Sequence, residues 1–339
     1  MSVITVNEAI SQALAEEMRR DPAVLMFGEG VATKRANLVA EFGAARVRNT
    51  PLAEGIIAGT AVGAAATGLR PIVDLLFAPF LCFAMDEIVN SAGKLRYLSG
   101  GQFKFPMVVM AMSGAGWTVG AQHNHNLEAW FVHSPGLKVV MPSSAADFKG
   151  LLKAAIRDDN PVLFFMDLAL GYQAGEVPAG EVLVPLGRAA TLREGRDVSL
   201  ISYAKTVHHC VAAAETLAAR GISAEVIDLR SLKPLDEAAI LASARKTGRV
   251  VVVHEASRLC GVGAEIAAFV GEHAFGALKA PVRRLTGPDA PAPASWPLEQ
   301  AFVPQADAIA AAALELVAAR RSAGPSPRPS TEGAVSMQA

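Results

Sequence analysis

Short apolar runs alternate, along the first half of the chain, with longer stretches whose apolar residues recur at helical spacing. The apolar runs predict strands at 24–27, 71–76, 106–112, 137–141 and 161–165. Helical spacing predicts helices that end near residue 20, begin near residue 54, and span 80–97 and 145–156. Strands that alternate with helices are typical of a parallel sheet covered on both faces. We therefore predict a doubly wound α/β domain.

The same alternation returns in the second half of the chain. Apolar runs predict strands at 198–202, 224–229, 250–254 and 282–285, and helices lie between them at 207–219, 236–245 and 264–273. Residues 166–196 are rich in Gly, Pro and charged residues, which predicts an interdomain connection with one or two short strands. The predicted organisation is two doubly wound α/β domains, at 1–185 and 186–321, of which the second is smaller. Residues 322–339 predict a disordered tail, because Pro, Ser and Gly dominate them.

Two helix starts carry capping signals. Thr5 and Glu8 have the spacing of a capping box, which predicts a helix from there onward. Farther along, Thr50 is predicted to cap a helix through its hydroxyl and Pro51 to take the first helical position, so that Glu54 falls in the first turn. An acidic residue at such a place often only complements the helix dipole, and this alternative stays open for Glu54.

The helix that follows Glu54 has very small side chains. Residues 58–68 read AGTAVGAAATG, so another backbone or a flat ligand can approach this helix closely. We predict that it is buried against another subunit.

Composition and charge exclude several classes of protein. The chain has 339 residues, of which 52% are hydrophobic and 19% charged, so it can bury a large core. Its net charge of −1 gives no general attraction to nucleic acid or to anionic membranes. We find no apolar run long enough for a membrane span and no secretory signal at the N-terminus, and we expect a cytoplasmic protein. Cys82, Cys210 and Cys260 lie far apart, as in proteins of reducing compartments, and buried packing is favoured over a catalytic thiol.

One loop has the composition of a functional segment. Residues 113–126 read SGAGWTVGAQHNHN after a predicted strand, and this loop is too long for a simple turn and crowded with hydrogen-bonding side chains. Gly28-Glu29-Gly30 also ends a predicted strand, but it is too short for a dinucleotide fingerprint, and no P-loop pattern occurs.

Seven blocks of the sequence point to a family. They read TPLAEGI, GLRPIVDLLFAPF, KLRYLSGGQ, AQHNHNLEAWFVHSPGLKVVMPSS, KGLLKAAIRDDNPVLFF, VIDLRSLKPLD and KTGRVVVVHEA. In order and spacing, from about Thr5 to Ile309, the chain resembles the β subunit of the thiamine-diphosphate-dependent E1 component of 2-oxo acid dehydrogenases, most closely its pyruvate and acetoin branch. The resemblance implies a transketolase-like fold, with an N-terminal domain that binds the cofactor's pyrimidine and a smaller C-terminal domain.

The resemblance assigns roles to four residues. It implies that Glu54 is the carboxylate that protonates or hydrogen-bonds N1′ of the cofactor, so that the 4′-imino group can act as a base. It implies that Phe80 packs on the aminopyrimidine, although a Phe at a helix start is otherwise more often plain core. His123 matches the His of the family's QHSQ block and is expected to handle protons or assist transfer to the lipoyl group. Glu29 is assigned to the same cofactor site.

The chain departs from the family pattern at three places. Asn124-His125-Asn126 replaces Ser-Gln-Ser or Ser-Gln-Cys, and His125 has two open roles, a catalytic one and the favoured one of hydrogen-bonding the loop. Met110 stands where family members commonly have Arg. The segment between Glu29 and Glu54 is several residues shorter than usual.

A second site is implied near residues 155–161. By resemblance, the turn at 155–161 and the strand at Met107 form a structural potassium site built largely from backbone carbonyls, with oxygen ligands that suit a hard cation. An ordinary helix end before a Pro is the alternative. The implied ligands are Met107, Ala155, Ile156, Asp158 and Asn160.

The resemblance also implies partners. In this superfamily Mg²⁺ and the cofactor's diphosphate are held by a Gly-Asp-Gly turn, and no such turn occurs in this chain. We therefore expect an E1 α subunit that supplies them, an α2β2 heterotetramer, and a lipoyl-bearing E2 acyltransferase as acceptor. The implied substrate is a pyruvate-like 2-oxo acid or acetoin. Two rivals are a separately encoded transketolase half, which transfers a ketol unit, and a catalytically silent stabilising subunit.

Overall fold

The computed structural model describes residues 1–319. Its strands are β1 (Ser2–Thr5), β2 (Val24–Gly28), β3 (Val47–Asn49), β4 (Arg70–Phe77), β5 (Val108–Ser113), β6 (Lys138–Val140), β7 (Val162–Asp167), β8 (Ala174–Val177), β9 (Ala190–Arg193), β10 (Val198–Ser202), β11 (Ala224–Asp228), β12 (Ser231–Lys233), β13 (Val250–Ser257) and β14 (Arg283–Gly287). Its α-helices are α1 (Val6–Arg20), α2 (Val31–Lys34), α3 (Ala36–Phe42), α4 (Glu54–Ala66), α5 (Gly93–Leu98), α6 (Glu128–His133), α7 (Ala145–Arg157), α8 (Thr206–Ala218), α9 (Glu237–Thr247), α10 (Val262–Ala274), α11 (Trp296–Phe302) and α12 (Ala306–Ala318). The tail predicted at 322–339 lies outside the described residues.

The first sheet has seven strands in the order β12-β6-β7-β5-β4-β2-β3, all parallel to their neighbours except β12. A separate core covers each face of this sheet, and successive side chains on a strand point to opposite faces. Phe165 faces a core shared with α4 and with the second domain, whereas its neighbour Phe164 faces a core shared with α1 and α7. The strand order reverses between β2 and β4, and ligands of doubly wound sheets bind at such a switch point.

The second sheet has the order β14-β13-β10-β11-β9, and only its edge strand β9 runs antiparallel. Helices α8 and α12 pack on one face, and α9 and α10 pack on the other. The prediction of two doubly wound α/β domains is therefore confirmed. The chain passes from a small ribbon, in which β1 pairs with β8, to the second sheet between Val177 and Ala190.

The second domain lends a strand to the first sheet, a feature that the sequence pattern did not predict. Strand β12 follows β11 of the second sheet and pairs antiparallel with β6, at the edge of the first. Beside it, Ser143 Oγ donates to Asp228 Oδ2 at 2.5 Å, and Arg230 contacts Asp147 at 2.7 Å. Burial raises the pKa of Asp228 to about 7, and the Asp147 carboxylate acts in the same direction.

This raised pKa gives a testable pH dependence. Because the folded protein holds the Asp228 proton up to about pH 7 and the unfolded chain releases it near pH 4, the group makes stability fall as pH rises across that window. Asp228→Asn removes this contribution. We expect the melting temperature of the variant, relative to the wild type, to rise between pH 4 and pH 7. The exposed Asp307→Asn serves as control, and a difference for Asp228→Asn that stays constant across these pH values would contradict the prediction.

The prediction of one regular α-helix at 80–97 is wrong, because the number of residues per turn changes along this segment. The chain forms a 3₁₀ segment at Ala78–Ala84 and a π-helical segment at Asp86–Ala92 before α5 begins. Apolar spacing over seven residues does not separate three from four or more residues per turn, so this change of winding left no clear pattern. Wide π turns occur often at functional sites.

The predicted start of α4 is also wrong. Helix α4 begins at Glu54, its N-cap is Ala53, and no side chain caps it. The Thr50 N–H donates to Gly28 O at 3.0 Å, which extends the pairing of β3 with β2 and keeps Thr50 and Pro51 out of the helix. The capping box at the start of α1 is confirmed, with Thr5 Oγ1 accepting from the Glu8 N–H at 3.2 Å.

The segment Trp296–Ala318 is long and apolar enough to cross a membrane by composition alone. It is broken at Val303–Gln305 into α11 and α12. Ile309, Ala313 and Leu316 of α12 are buried in the core that covers the second sheet. This packing is that of a core helix.

Candidate active site

The four predicted site residues lie at one edge of the first sheet. Glu29 follows β2, Glu54 begins α4 after β3, Phe80 follows β4, and His123 lies in the loop after β5. Parallel strands bring their carboxyl ends to the same edge, and all four side chains are half-buried there. This edge includes the switch point between β2 and β4.

Close approach of backbones shapes the switch point. A Cβ on Gly28, at the end of β2, would lie 2.3 Å from Asp74 O on β4, so this position requires Gly. A Cβ on Gly55, in the first turn of α4, would lie 3.1 Å from Phe83 O and 3.3 Å from Glu87 Oε1. The small residues of α4 therefore let it seat closely against the segment that carries Phe80.

Three aromatic rings meet at this edge. The His123 ring lies edge-on to Phe77, with ring centres 4.9 Å apart, and edge-on to Phe80, with centres 5.4 Å apart. Phe77 and Phe80 also contact each other edge-on at 6.0 Å. The sequence analysis missed Phe77, although the spacing of Phe77 and Phe80 in FAPF could have indicated a pair on one turn.

A bulge at the end of β4 aims Phe77 at the cluster. Pairing with β5 shifts register between Asp74 and Phe77, and Leu76 has φ of 66°, a left-handed conformation that is strained for Leu. Asp74 Oδ1 accepts the Leu76 N–H at 3.0 Å and holds this turn. Such strain costs about 1–3 kcal/mol and concentrates at functional sites.

Side chains of the second domain form hydrogen bonds to the backbone at the start of the loop that carries His123. Glu255 Oε1 accepts the Ala115 N–H at 2.5 Å, and Lys205 Nζ donates to Ala115 O. Lys205 Nζ lies 2.5 Å from Glu255 Oε2 and 3.7 Å from Asp167 Oδ1, and all three charged residues are buried. Burial raises the pKa of Glu255, and the Lys205 charge offsets this only in part. Burial lowers the pKa of Lys205, but Asp167 and Glu255 outweigh it and raise that pKa overall.

His125 lies at a different surface from His123. Its exposed side chain faces a cavity of about 620 Å³ between the domains, which Met85, Trp130, Leu259 and Cys260 also line. The His125 ring lies edge-on to Trp130 at 6.4 Å, and burial lowers its pKa. Within residues 1–319 its ring forms no hydrogen bond to the loop, so the favoured loop role finds no support in the contacts.

Comparison with known proteins adds the deciding observation. Two family descriptions match, "Transketolase, pyrimidine binding domain" over residues 2–170 and "Transketolase, C-terminal domain" over residues 187–309. The chain is 44% identical over 326 residues to the β subunit of acetoin:2,6-dichlorophenolindophenol oxidoreductase of Cupriavidus necator, covering 91% of this chain and 96% of that protein. It is 44% identical to the 2-oxoisovalerate dehydrogenase β subunit of Bacillus subtilis, covering 93% and 99%.

The chain belongs to the family of E1 β subunits of 2-oxo acid and acetoin dehydrogenases. The resemblance read from the sequence is thus confirmed, and so is the transketolase-like fold. A pyruvate dehydrogenase E1 β subunit of Rhizobium meliloti is 45% identical, covering 90% of this chain and 68% of that protein. Among solved structures, a "Split gene transketolase, inactive beta4 tetramer" is 27% identical with a TM-score of 0.79, covering 94% of this chain and 99% of that one.

The residues of this E1 β chain fit the pyrimidine half of thiamine diphosphate. A carboxylate at the start of a helix, a pair of Phe rings and an imidazole are the groups that a flat, basic heterocycle needs around it. Residues 1–319 contain no cluster of three or more His, Cys, Asp or Glu side chains that could hold a metal ion. The roles of Glu29, Glu54, Phe80 and His123 stay predictions that rest on this geometry and on the family pattern.

In this E1 β chain, the cationic side chains of Arg70 and Lys138 lie among the implied potassium ligands. Met107 O accepts the Val162 N–H at 2.9 Å, which joins β5 to β7 beside the end of α7. Arg70 donates to Ile156 O at 3.0 Å and to Asp158 O at 3.1 Å, and Lys138 pairs with the Asp158 carboxylate. Each carbonyl oxygen keeps a second lone pair, so an ion fits only if it shares these oxygens with Arg70.

Proposed function

We propose that this chain is the β subunit of a 2-oxo acid or acetoin dehydrogenase E1 and supplies the pyrimidine half of a thiamine diphosphate site. One observation carries the proposal. Glu54 begins a small-residue helix at the same sheet edge where Phe77, Phe80 and His123 meet. Family membership places the chain in a group that depends on this cofactor.

Each side chain has a separate task in this proposal. When bound, thiamine diphosphate supplies a carbon nucleophile that attacks a carbonyl and an electron sink for the charge that develops. The Glu54 carboxylate holds a proton shared with the pyrimidine N1′, and the helix N-terminus favours negative charge at its position. Phe77 and Phe80 orient the flat ring and exclude water. His123 moves a proton to or from the reacting group, because an imidazole can act as both acceptor and donor of a proton.

The exposed face of α4 supports a shared site. Ile56 is 73% exposed and lines, with Phe27 and Ile57, a largely apolar cavity of about 410 Å³. Leu52, just before α4, is 67% exposed. Apolar surface of this size and position fits a subunit contact. We propose an α2β2 assembly in the cytoplasm, whose α subunit brings Mg²⁺ and the diphosphate site and whose acyl acceptor is a lipoyl-bearing E2.

The substrate is a pyruvate-like 2-oxo acid, a branched-chain 2-oxo acid or acetoin. The names of relatives at similar identity cover all three. The likeness to the split transketolase favours one second candidate, ketol transfer between sugar phosphates. Sugar phosphates call for several Arg donors near the site, and the loop at 113–126 contains no Arg.

Calorimetry of thiamine diphosphate with Mg²⁺ tests the proposal. We expect no binding to this chain alone, binding to the chain with its α subunit, and turnover of a 2-oxo acid or acetoin by that complex. Tight binding by the isolated chain would overturn the shared site. Turnover of a ketose phosphate in place of 2-oxo acids and acetoin would select the transketolase candidate.

A structural potassium ion is part of the proposal. The carbonyl oxygens of Ala155, Ile156 and Asp158 suit a hard cation, provided that the last two are shared between the cation and Arg70. We expect KCl to raise the melting temperature above that in NaCl at equal ionic strength. Equal melting temperatures in the two salts would leave Arg70 and Lys138 as the cations that stabilise this turn.

A further inference from the structure

A buried carboxylate of the second domain holds the loop that carries His123. Glu299 on α11 is fully buried, and its Oε1 accepts the Thr118 N–H at 3.0 Å and Asn124 Nδ2 at 2.8 Å. Thr118 and Asn124 stand on either side of the turn that leads into His123. Glu299 is separated from them by more than 170 positions in the sequence, and no motif pointed to it.

The Asn124 contact acts directly beside His123. The backbone N–H groups of His123 and Asn124 both donate to Gly120 O at 3.1 Å, which closes a tight turn. Asn124 is buried, and its side-chain amide ties that turn to Glu299. The orientation of the His123 ring against Phe77 and Phe80 therefore depends on this tie.

This contact accounts for one departure from the family pattern. Asn124 stands where the pattern has Ser, and the Asn side chain is one atom longer and carries an amide donor. A hydroxymethyl group at residue 124 would not reach Glu299 Oε1 without a shift of the loop. In this chain the amide of Asn124 therefore has a specific partner in Glu299.

We propose that Glu299 is a positioning residue that sets the loop at 113–126, through Thr118 and Asn124, so that the His123 imidazole faces the site. Loss of a buried acceptor that serves two donors leaves both of them unsatisfied. Without these hydrogen bonds the loop at 113–126 would shift, and the His123 imidazole would move away from the site.

Hydrogen–deuterium exchange of the loop tests the inference without reference to activity. In the complex with the α subunit, we expect Glu299→Leu to speed exchange in peptides that cover 116–126 at least about tenfold, since the Thr118 N–H loses its acceptor. Glu299→Gln keeps an oxygen at this position and should restore most of the protection. Gln300→Ala, on the exposed face of the same helix, is the matched control and should exchange like the wild type.

Turnover gives a second readout, which rests on the proposed function. We expect Glu299→Leu to lower kcat about tenfold or more while thiamine diphosphate affinity changes little, because Glu299 acts through His123 rather than on the cofactor. Asn124→Ser should produce a smaller loss, and adding it to Glu299→Leu should cost little more, as for partners in one interaction.

The outcomes separate the two proposals. Unchanged exchange in the loop of Glu299→Leu would overturn the positioning role, whatever the activity. Faster exchange throughout the second domain would assign Glu299 to general stability and overturn it as well. A wild-type complex without thiamine diphosphate binding would overturn the proposed function, whereas the exchange result would still decide the role of Glu299.

Discussion

Replacing Glu54 by Gln in the assembled enzyme lowers kcat for a 2-oxo acid or acetoin by about a hundredfold to ten-thousandfold, the usual range for loss of an acid–base group. Gln fills the same space and accepts a hydrogen bond, but it cannot hold a titratable proton at the pyrimidine N1′. Steady-state kinetics with saturating cofactor, together with calorimetry, measure the effect.

A matched control separates this role from the helix dipole. Glu237 is the first residue of α9, as Glu54 is the first residue of α4, and its side chain is exposed. If Glu54 only complements a dipole, Glu54→Gln and Glu237→Gln should each cost about 0.3–1 kcal/mol of stability and leave turnover unchanged. A Glu54→Gln enzyme that retains more than about a tenth of wild-type kcat would remove Glu54 from the chemistry. That result would also favour the alternative hypothesis that this chain is a catalytically silent, stabilising subunit.

Lys205→Met is expected to destabilise the protein by about 3–5 kcal/mol, because it leaves the buried Glu255 carboxylate without its partner. Adding Glu255→Gln should recover most of this loss, since Gln still offers an oxygen to the Ala115 N–H. Urea or thermal unfolding of the single and double variants measures both changes. Lys104→Met, which removes an exposed ion pair with Asp159, should cost about 1 kcal/mol or less.

The loss in Lys205→Met depends on pH in a definite direction. Without Lys205, the folded state holds the Glu255 proton to higher pH, whereas the unfolded chain releases it near its ordinary pKa. In the wild type the folded state already holds this proton up to about pH 7, so wild type and variant lose stability together between about pH 4.5 and pH 7. The extra loss in the variant is therefore small at pH 5 and develops above pH 7. A defect of equal size at both pH values would mean that Glu255 is not the group left unpaired.

Local sequence patterns predicted most of the two sheets because strands buried on both faces read as apolar runs. Strands β5, β7, β10 and β13 lie within a few residues of their predicted positions. The patterns failed where tertiary contacts decide the conformation. Pairing of Thr50 with Gly28 displaced the predicted cap of α4, and β12 forms only because the edge of β6 lies beside it.

The family pattern supplied four residues of the candidate site, but it could not show what supports them. Phe77 turns toward His123 because Leu76 adopts a left-handed conformation, which no residue type at that position signals. Nothing in the sequence around Glu255 or Lys205 indicates a buried ion pair. The two residues are buried together only because the two domains pack against each other. Acidic residues such as Glu255 and Glu299, which contact the loop at 113–126 from a distant part of the sequence, cannot be recognised from local sequence patterns.

The pairing of β12, which belongs to the second domain, with β6 of the first sheet also limits where the chain can be cut into separately expressed fragments. A fragment that ends near residue 185 would lack β12, so the backbone N–H and C=O groups along one side of β6 would be open to solvent. Unprotected edges of this kind pair with other chains and promote aggregation. The first domain should therefore be poorly soluble when it is expressed by itself, and a fragment extended through Lys233 would restore the missing strand.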